Sequence, residues 1–291
     1  MIEVSAMTER TTNPLHEDNR QAWNAATAAH QRHRGDELEF FRGGGSTLYP
    51  EELELLGPLA DRRLVHLQCN AGQDSISLAR LGARVTGVDF SDTAITAATA
   101  LAGALAVPAT FVSADVYQWL SDAAGERFDV CFSSYGALMW LSDLGAWARG
   151  IAGVLAPGGQ LVLVDFHPFA LVFDHDMVRD RPYFSGGKPF SETHGVGDYV
   201  AENRALFSGE PAPPGPEFVN PHPSHEFGWS VGELIQAVLD AGLVPERFQE
   251  YPYCNGQALY RGMVARPGGR AELPPDAMNL PLMFGLRARA P

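Results

Sequence analysis

Between residues 63 and 166, short apolar runs alternate with helical segments, and this alternation limits the possible fold more than any other feature of the chain. LVHLQC, RVTGVD, ATFVSAD, FDVCFSS and QLVLVDF read as strands, while SISLARL, SDTAITAATALAGAL and segments near 116–124 and 144–155 read as the helices between them. A strand, a helix and a second strand make one parallel crossover. Repeating that unit predicts an α/β protein with a doubly wound, parallel sheet. Gly82 is placed to end the first of these helices, and Pro157-Gly158-Gly159 to turn the chain into the fifth strand.

The rhythm changes on both sides of this core, expected at 61–165. Upstream, residues 14–34 set Trp23, Thr27, His30 and Arg34 at helical spacing, and a glycine-hinged loop leads to a short helix after Pro50. Residues 1–60 therefore read as an N-terminal helical lid. Downstream, 166–227 carries prolines from Pro168 to Pro223, with Pro211, Pro213, Pro214 and Pro216 crowded together, interleaved with aromatic residues. A long loop-rich segment inside a compact domain is usually functional, and the aromatics predict an ordered substrate cap. A capping box at Ser230 and Glu233 restarts a helix, and VPERFQEYPY and ALYRGMVAR read as an antiparallel strand pair closing the segment 228–266. The stretch 267–291, rich in Pro, Gly and Arg, reads as an irregular tail.

The chain has 291 residues, 45% of them hydrophobic, enough to bury a full core. It lacks a run of roughly 18 apolar residues, and its polar, acid-bearing start is unlike a signal peptide, so a cytoplasmic protein is expected. A formal charge of −14 opposes nucleic acid and anionic membranes and points to a small-molecule partner. Cys69, Cys131 and Cys254 are isolated and suggest neither a disulfide framework nor a zinc site. His222 and His225 have too few companions, and Pro221 and Pro223 break the helix a metal pair would need, so no metal is expected.

Leu64 to Gly72 reads L-V-H-L-Q-C-N-A-G, Asp89 and Phe90 end the second strand, and Asp115 and Val116 follow the third. FDVCFSSY brings Ser133 and Tyr135 to the end of the fourth strand, and LAPGGQLVLVDFHP supplies the fifth. On these stations the chain, from about Arg63 to Arg266, resembles the class I S-adenosylmethionine-dependent methyltransferases, whose first strand ends in V-L-D-L-G-C-G-T-G. Cys69 and Gly72 match that pattern. His66 stands where the family often has an acid, and Gln68 and Asn70 replace two glycines. Asn best tolerates a left-handed turn among non-glycine residues, so Asn70 is expected to hold it.

The resemblance implies a Rossmann-like, seven-stranded sheet with its last strand antiparallel, a long insertion after strand five, and S-adenosylmethionine as cofactor, with S-adenosylhomocysteine as product. It further implies that Gln68, Asn70 and Gly72 approach the methionine moiety, Asp89 and Phe90 the ribose, Asp115 and Val116 the adenine, and Ser133 the region of the transferred methyl group. The N-P-P-aromatic tetrad of nucleic-acid adenine methyltransferases is absent from this station, and NPHP at 220–223 lies too late to serve.

Methyl transfer is an in-line displacement in which alignment does most of the work, with a His or Tyr as base where the acceptor must lose a proton. Candidates for that base are His30, Tyr135, His167 and Tyr183, and Trp23, Phe41, Tyr49, Trp140, Phe169, Phe184 and His222 are candidates for the acceptor pocket. The expected reaction is methylation of a small aromatic or heteroaromatic acceptor, with indole C3-methylation in alkaloid biosynthesis as the preferred subtype and O- or N-methylation as alternatives. Two other readings are an NAD(P)-dependent oxidoreductase, which should show GxGxxG where this chain has QCNAGQ, and a non-catalytic cofactor-binding protein, which would not need so elaborate a lid.

Overall fold

A computed structural model describes residues 13–208 and 217–291. Residues 1–12 of the expected lid, and Pro211, Pro213, Pro214 and Pro216 of the expected cap, lie outside the described residues. The chain begins with α1 (Pro14–His33), α2 (Glu37–Arg42) and α3 (Pro50–Leu56). The alternating unit follows as β1 (Arg63–Leu67), α4 (Gln73–Arg80), β2 (Arg84–Asp89), α5 (Asp92–Leu105), β3 (Ala109–Ser113), α6 (Val116–Asp122), β4 (Phe128–Ser134), α7 (Leu144–Val154) and β5 (Leu155–Phe166). Asn13, Ser91, Asp115 and Asp143 cap helix starts with side-chain oxygens that accept backbone N–H groups, so local chemistry sets these boundaries.

After β5 come a ribbon made of β6 (Pro189–Glu192) and β7 (Ser224–Phe227), with α8 (Tyr199–Ser208) between its strands. Next are α9 (Val231–Asp240), capped by the expected Ser230–Glu233 box, and β8 (Val244–Tyr251). A small antiparallel sheet of β9 (Tyr253–Asn255), β10 (Val264–Arg266) and β11 (Arg270–Glu272) precedes β12 (Met283–Arg289).

The main sheet has seven strands in the order β3-β2-β1-β4-β5-β12-β8. β1 to β5 pair in parallel, and β12 runs antiparallel to both β5 and β8. The doubly wound sheet with one antiparallel strand is therefore present, but two assignments change. The antiparallel strand is Met283–Arg289, inside the supposed irregular tail, whereas ALYRGMVAR lies in and before the small sheet over the end of β5. The tail misleads because its arginines carry charge on apolar stems. Met283, Phe284, Leu286 and Ala288 are fully buried, while Arg287 and Arg289 turn their heads to Glu246.

Helices cover both faces of the sheet. Phe284, Leu286 and Ala288 join the layer of α7 and α9 around the buried Trp147, and Met283 joins the opposite layer with Leu55, Leu56 and Leu78. Among the described residues no helix is long and apolar enough to cross a membrane. Because Phe284 sits in a central strand, Phe284→Ala should lower the unfolding free energy by about 3–5 kcal/mol. Urea denaturation checks this, and a change within about 0.5 kcal/mol is what an irregular surface tail would give.

Candidate active site

The carboxyl ends of β1, β2 and β3 open on a cavity of about 930 Å³. At its centre the turn after β1 alternates left-handed residues, with φ of +55° at Gln68, +48° at Asn70 and +80° at Gly72. Asn70 thus adopts the expected conformation, and Gln68, which also stands in place of a glycine, adopts it too. Gly72 has a second reason to lack a side chain, because a Cβ there would meet Ala98 Cβ at 2.6 Å. The turn is held from outside. The Gln68 amide donates to the Ala137 carbonyl at 2.7 Å, and the Asn70 N–H donates to Asp89 Oδ2 at 2.8 Å. Gln68 Oε1 is left buried and unpartnered.

Asp89 and Phe90 line the cavity. Burial pushes the Asp89 carboxyl up to about 6 even though it accepts the N–H groups of Ser91 and Asn70. Asp115 and Val116 line the next part of the wall. Asp115 caps α6 through Oδ1, and Oδ2 accepts from His16 Nδ1 at 2.8 Å. Burial raises this carboxyl, but the His16 hydrogen bond and charge more than offset that, and it stays below the ordinary range. His16 also pairs with Ser142 Oγ at 2.7 Å and stacks on Tyr117. The sequence reading missed His16, which carries no motif. Its only signal is its place in the first turn of an expected lid helix.

Of the acceptor-pocket candidates, Trp23, Phe41, Tyr49 and Trp140 line the cavity, with Trp23 edge-on to Trp140 at 5.5 Å. Phe169 and Phe184 do not. They stand on the surface of the cap, Phe184 79% exposed, packed on Tyr183. His222 is half-buried off the wall, in the turn before β7, where its N–H donates to Asn220 Oδ1. Ser133 is buried in β4 away from the cavity, and the strand's alternation puts Ser134 on the wall instead.

The base candidates divide in the same way. His30 lies behind the wall against Tyr199, donates from Nε2 to the Gly197 carbonyl at 3.0 Å, and is pushed down to about 4 by burial. His167 accepts the Phe169 N–H at Nδ1, and its Nε2 lies 2.9 Å from Glu250 on the far side of β5. Tyr183 Oη accepts the Val231 N–H at the start of α9 and lines a separate crevice of about 40 Å³. These three lie off the cavity wall, although His30 Nδ1 is buried without a partner. Tyr135 does line the cavity, but burial and then the neighbouring Glu52 carboxyl hold its phenol well above the ordinary value, so it stays protonated. His225 is likewise committed, to Ser191 and Asp18.

Three further wall residues emerge only in the fold. His66 is kept neutral by burial, which pushes it down to about 3. Asn255 arrives from β9. Arg34, at the end of α1, is the one Lys or Arg lining the cavity among the described residues, with Nη1 on Glu37 at 3.2 Å and Nε unpartnered. Its helical spacing was visible in sequence, its solitude was not.

Residues 65–159 match the family model of a methyltransferase domain. The solved CcbJ methyltransferase of Streptomyces caelestis superposes with a TM-score of 0.60 at 16% identity over 93% of this chain and 98% of that one. An S-adenosylmethionine-dependent methyltransferase of Mesorhizobium loti gives 0.52 at 20% identity over 84% and 99%. The fold is that of S-adenosylmethionine-dependent methyltransferases. Among curated proteins, the ubiquinone biosynthesis O-methyltransferase of Methylobacterium sp. (strain 4-46) is 37% identical over 102 residues, 35% of this chain and 40% of that protein. The match thus spans well under half of that relative's length.

The site residues fit the cofactor of that fold in chemistry as well as place. Asp89 offers acceptors for vicinal hydroxyls, Asp115 an acceptor for an amino group, and Arg34 an unpartnered donor for a carboxylate. Because Asn70 holds a left-handed turn, Asn70→Ala should cost about 1–2 kcal/mol, whereas Asn70→Gly should stay within about 0.5 kcal/mol of the parent. Equal losses in thermal or urea melts would show that the side-chain bond to the Ala71 N–H, not φ, is what matters.

Proposed function

We propose that the protein transfers a methyl group from S-adenosylmethionine to a small aromatic acceptor. The observation that carries this reading is the row formed by the left-handed 68–72 turn, Asp89 and Asp115 at successive strand ends, opening on one cavity where Arg34 is the single guanidinium among the described residues. Asp115, with Val116, would take the adenine, Asp89 the ribose hydroxyls, and Gln68 and Arg34 the methionine amino-acid group. When bound, the cofactor supplies an electrophilic methyl carbon on a sulfonium. The acceptor's nucleophilic atom bonds to that carbon as the carbon–sulfur bond breaks, leaving a neutral thioether.

The chain's own contribution is alignment and exclusion of water. Trp23, Trp140 and Phe41 wall the cavity, and the hydrogen-bonded lid closes over it. Among the described wall residues, His66 is too weak a base, Tyr135 is held protonated, and His16 is bonded at both ring nitrogens, to Asp115 and Ser142. This favours acceptors that need no strong base, or that lose their proton after the methyl bond forms. Methylation at oxygen has the support of the curated relatives' name. Indole C3-methylation has the support of the aromatic wall, since an indole ring is its own carbon nucleophile.

The test is calorimetric titration with S-adenosylhomocysteine, with NADH and NADPH as controls. Micromolar binding with silent nicotinamides is expected, and no S-adenosylhomocysteine binding overturns the reading. Arg34→Ala should weaken binding about tenfold or more, a loss of about 1.4 kcal/mol. Since Asp89 is pushed up to about 6, its ionised fraction falls as pH drops through that value. Affinity should therefore weaken below about pH 6 in the parent, and this slope should flatten in Asp89→Asn.

A further inference from the structure

Beyond the adenosyl stations, the cavity ends at Tyr49, Tyr135, Asp74 and Asn255, with the Glu52 carboxyl directly behind the two tyrosines. The polar atoms left over here are of one kind. Asn255 is 2% exposed, and its Nδ2 donates to Glu51 Oε2 and to the Tyr135 hydroxyl, both at 3.0 Å, so only its Oδ1 remains, unpartnered. Glu52 is completely buried. Its Oε2 accepts the Tyr49 N–H at 2.7 Å, and its Oε1 is unpartnered. Asp74 accepts from Thr47 Oγ1 at 2.6 Å and Ser134 Oγ at 3.3 Å. The nearby arginine, Arg270, is bound to Glu51 and lies over Tyr253. Buried acceptors without donors are costly, and a ligand that brings donors and positive charge removes that cost.

Resting on the methyltransferase reading, we propose that the methyl acceptor is an arylalkylamine bound in its protonated form, with its ammonium received by Asp74 and Asn255 on the cavity wall and the Glu52 carboxyl adding negative charge from behind the tyrosines. Three elements converge to build this subsite: α3 brings Glu52, α4 brings Asp74 and β9 brings Asn255. Tyr49 stands edge-on to Tyr135 at 6.1 Å, and Tyr135 lies 5.8 Å from Phe166, giving π-faces that attract a cation and pack against a flat ring. Burial first, and then the proximity of Asp74, pushes the Glu52 carboxyl well above its ordinary range, and burial also raises Asp74. An ammonium beside Asp74, with Glu52 behind the tyrosines, favours the ionised form of both, whereas a carboxylate ligand is repelled by both.

Calorimetry with the full chain saturated with S-adenosylhomocysteine tests the proposal on three matched pairs: phenethylamine against phenylacetate, tyramine against 4-hydroxyphenylacetate, and tryptamine against indole-3-acetate. At least one amine should bind tenfold or more tighter than its carboxylate partner, and its affinity should fall at least tenfold in Glu52→Gln while S-adenosylhomocysteine affinity stays within twofold. Should Glu52→Gln fail to fold, Asn255→Ala, which removes the free carbonyl together with the Nδ2 bonds to Glu51 and Tyr135, should weaken the same amine at least threefold. No preference for any amine, or unchanged amine affinity in a folded variant, overturns the proposal. An amine preference in a protein that ignores S-adenosylhomocysteine would leave the subsite standing and sink the methyltransferase reading, so the two failures are distinct.

Discussion

A single buried carboxylate holds the working edge of the sheet together. Asp165, near the end of β5, accepts N–H groups from Gly136 at 2.5 Å, Ala137 at 3.1 Å, Leu138 at 3.0 Å and Phe166 at 2.7 Å. The first three are the donors of the turn after β4, which has no neighbouring strand to satisfy them. Once that turn is fixed, the Ala137 carbonyl is in place for the Gln68 amide, so the turn after β1 is tied to the turn after β4 through one side chain. Tyr135, at φ +29°, lies between two anchored points and holds a conformation that a free loop would leave.

Asp89 does the same work one strand further out, receiving Asn70 and Ser91. Both carboxyls are pushed up to about 6 by burial, the four and two N–H bonds notwithstanding. A raised acid stabilises the fold fully below its unfolded value and loses that contribution as pH rises through about 6. At neutral pH each charge therefore costs on the order of 3 kcal/mol. For Asp165 that cost is the standing cost of a rigid turn. For Asp89 it is recoverable, since hydroxyl donors from a bound ribose would stabilise the ionised form.

The lid is fastened by equally specific means. Asn19 exchanges two hydrogen bonds with the backbone of His225, Asn220 donates to the Ala22 and Val196 carbonyls, and Asn24 receives Ser91 and Thr93 at the start of α5. Little of this was readable in advance. The core was legible because strand and helix periods, caps and the Gly72 turn are local signals. β12 was not, because its partners β5 and β8 are remote and its arginines mask an apolar strand. The cavity-lining positions Gln68, Asn70, Asp89 and Asp115 could be placed because each follows or ends a strand of the alternating core. His167, Tyr183, Phe169 and Phe184 lie in segments that have no period, where residue type does not decide which way a side chain points, and His30, though at helical spacing in α1, packs on Tyr199 behind the wall. Asn255 and Glu52 meet only through tertiary packing, and neither has a motif to announce it.

The acidity of the chain takes on a different meaning once it is located. Around the turn after β1 three carboxylates are matched: Asp89 by backbone N–H groups, Asp115 by a helix start and His16, Glu37 by Arg34 and Gln73. At the far end, beside Asp74, Glu52 and Asn255 each leave a buried acceptor without a donor. The cavity is thus polar at one end by pairing and at the other by deficit. On the proposed reaction this asymmetry has a direction. S-adenosylmethionine carries a sulfonium charge that its product lacks, so an acid-rich wall holds the reactant more tightly than the spent thioether. The proton or charge displaced onto the methylated acceptor remains beside the carboxyls that suit it, while the cofactor product, having lost its charge, has lost part of what kept it in place.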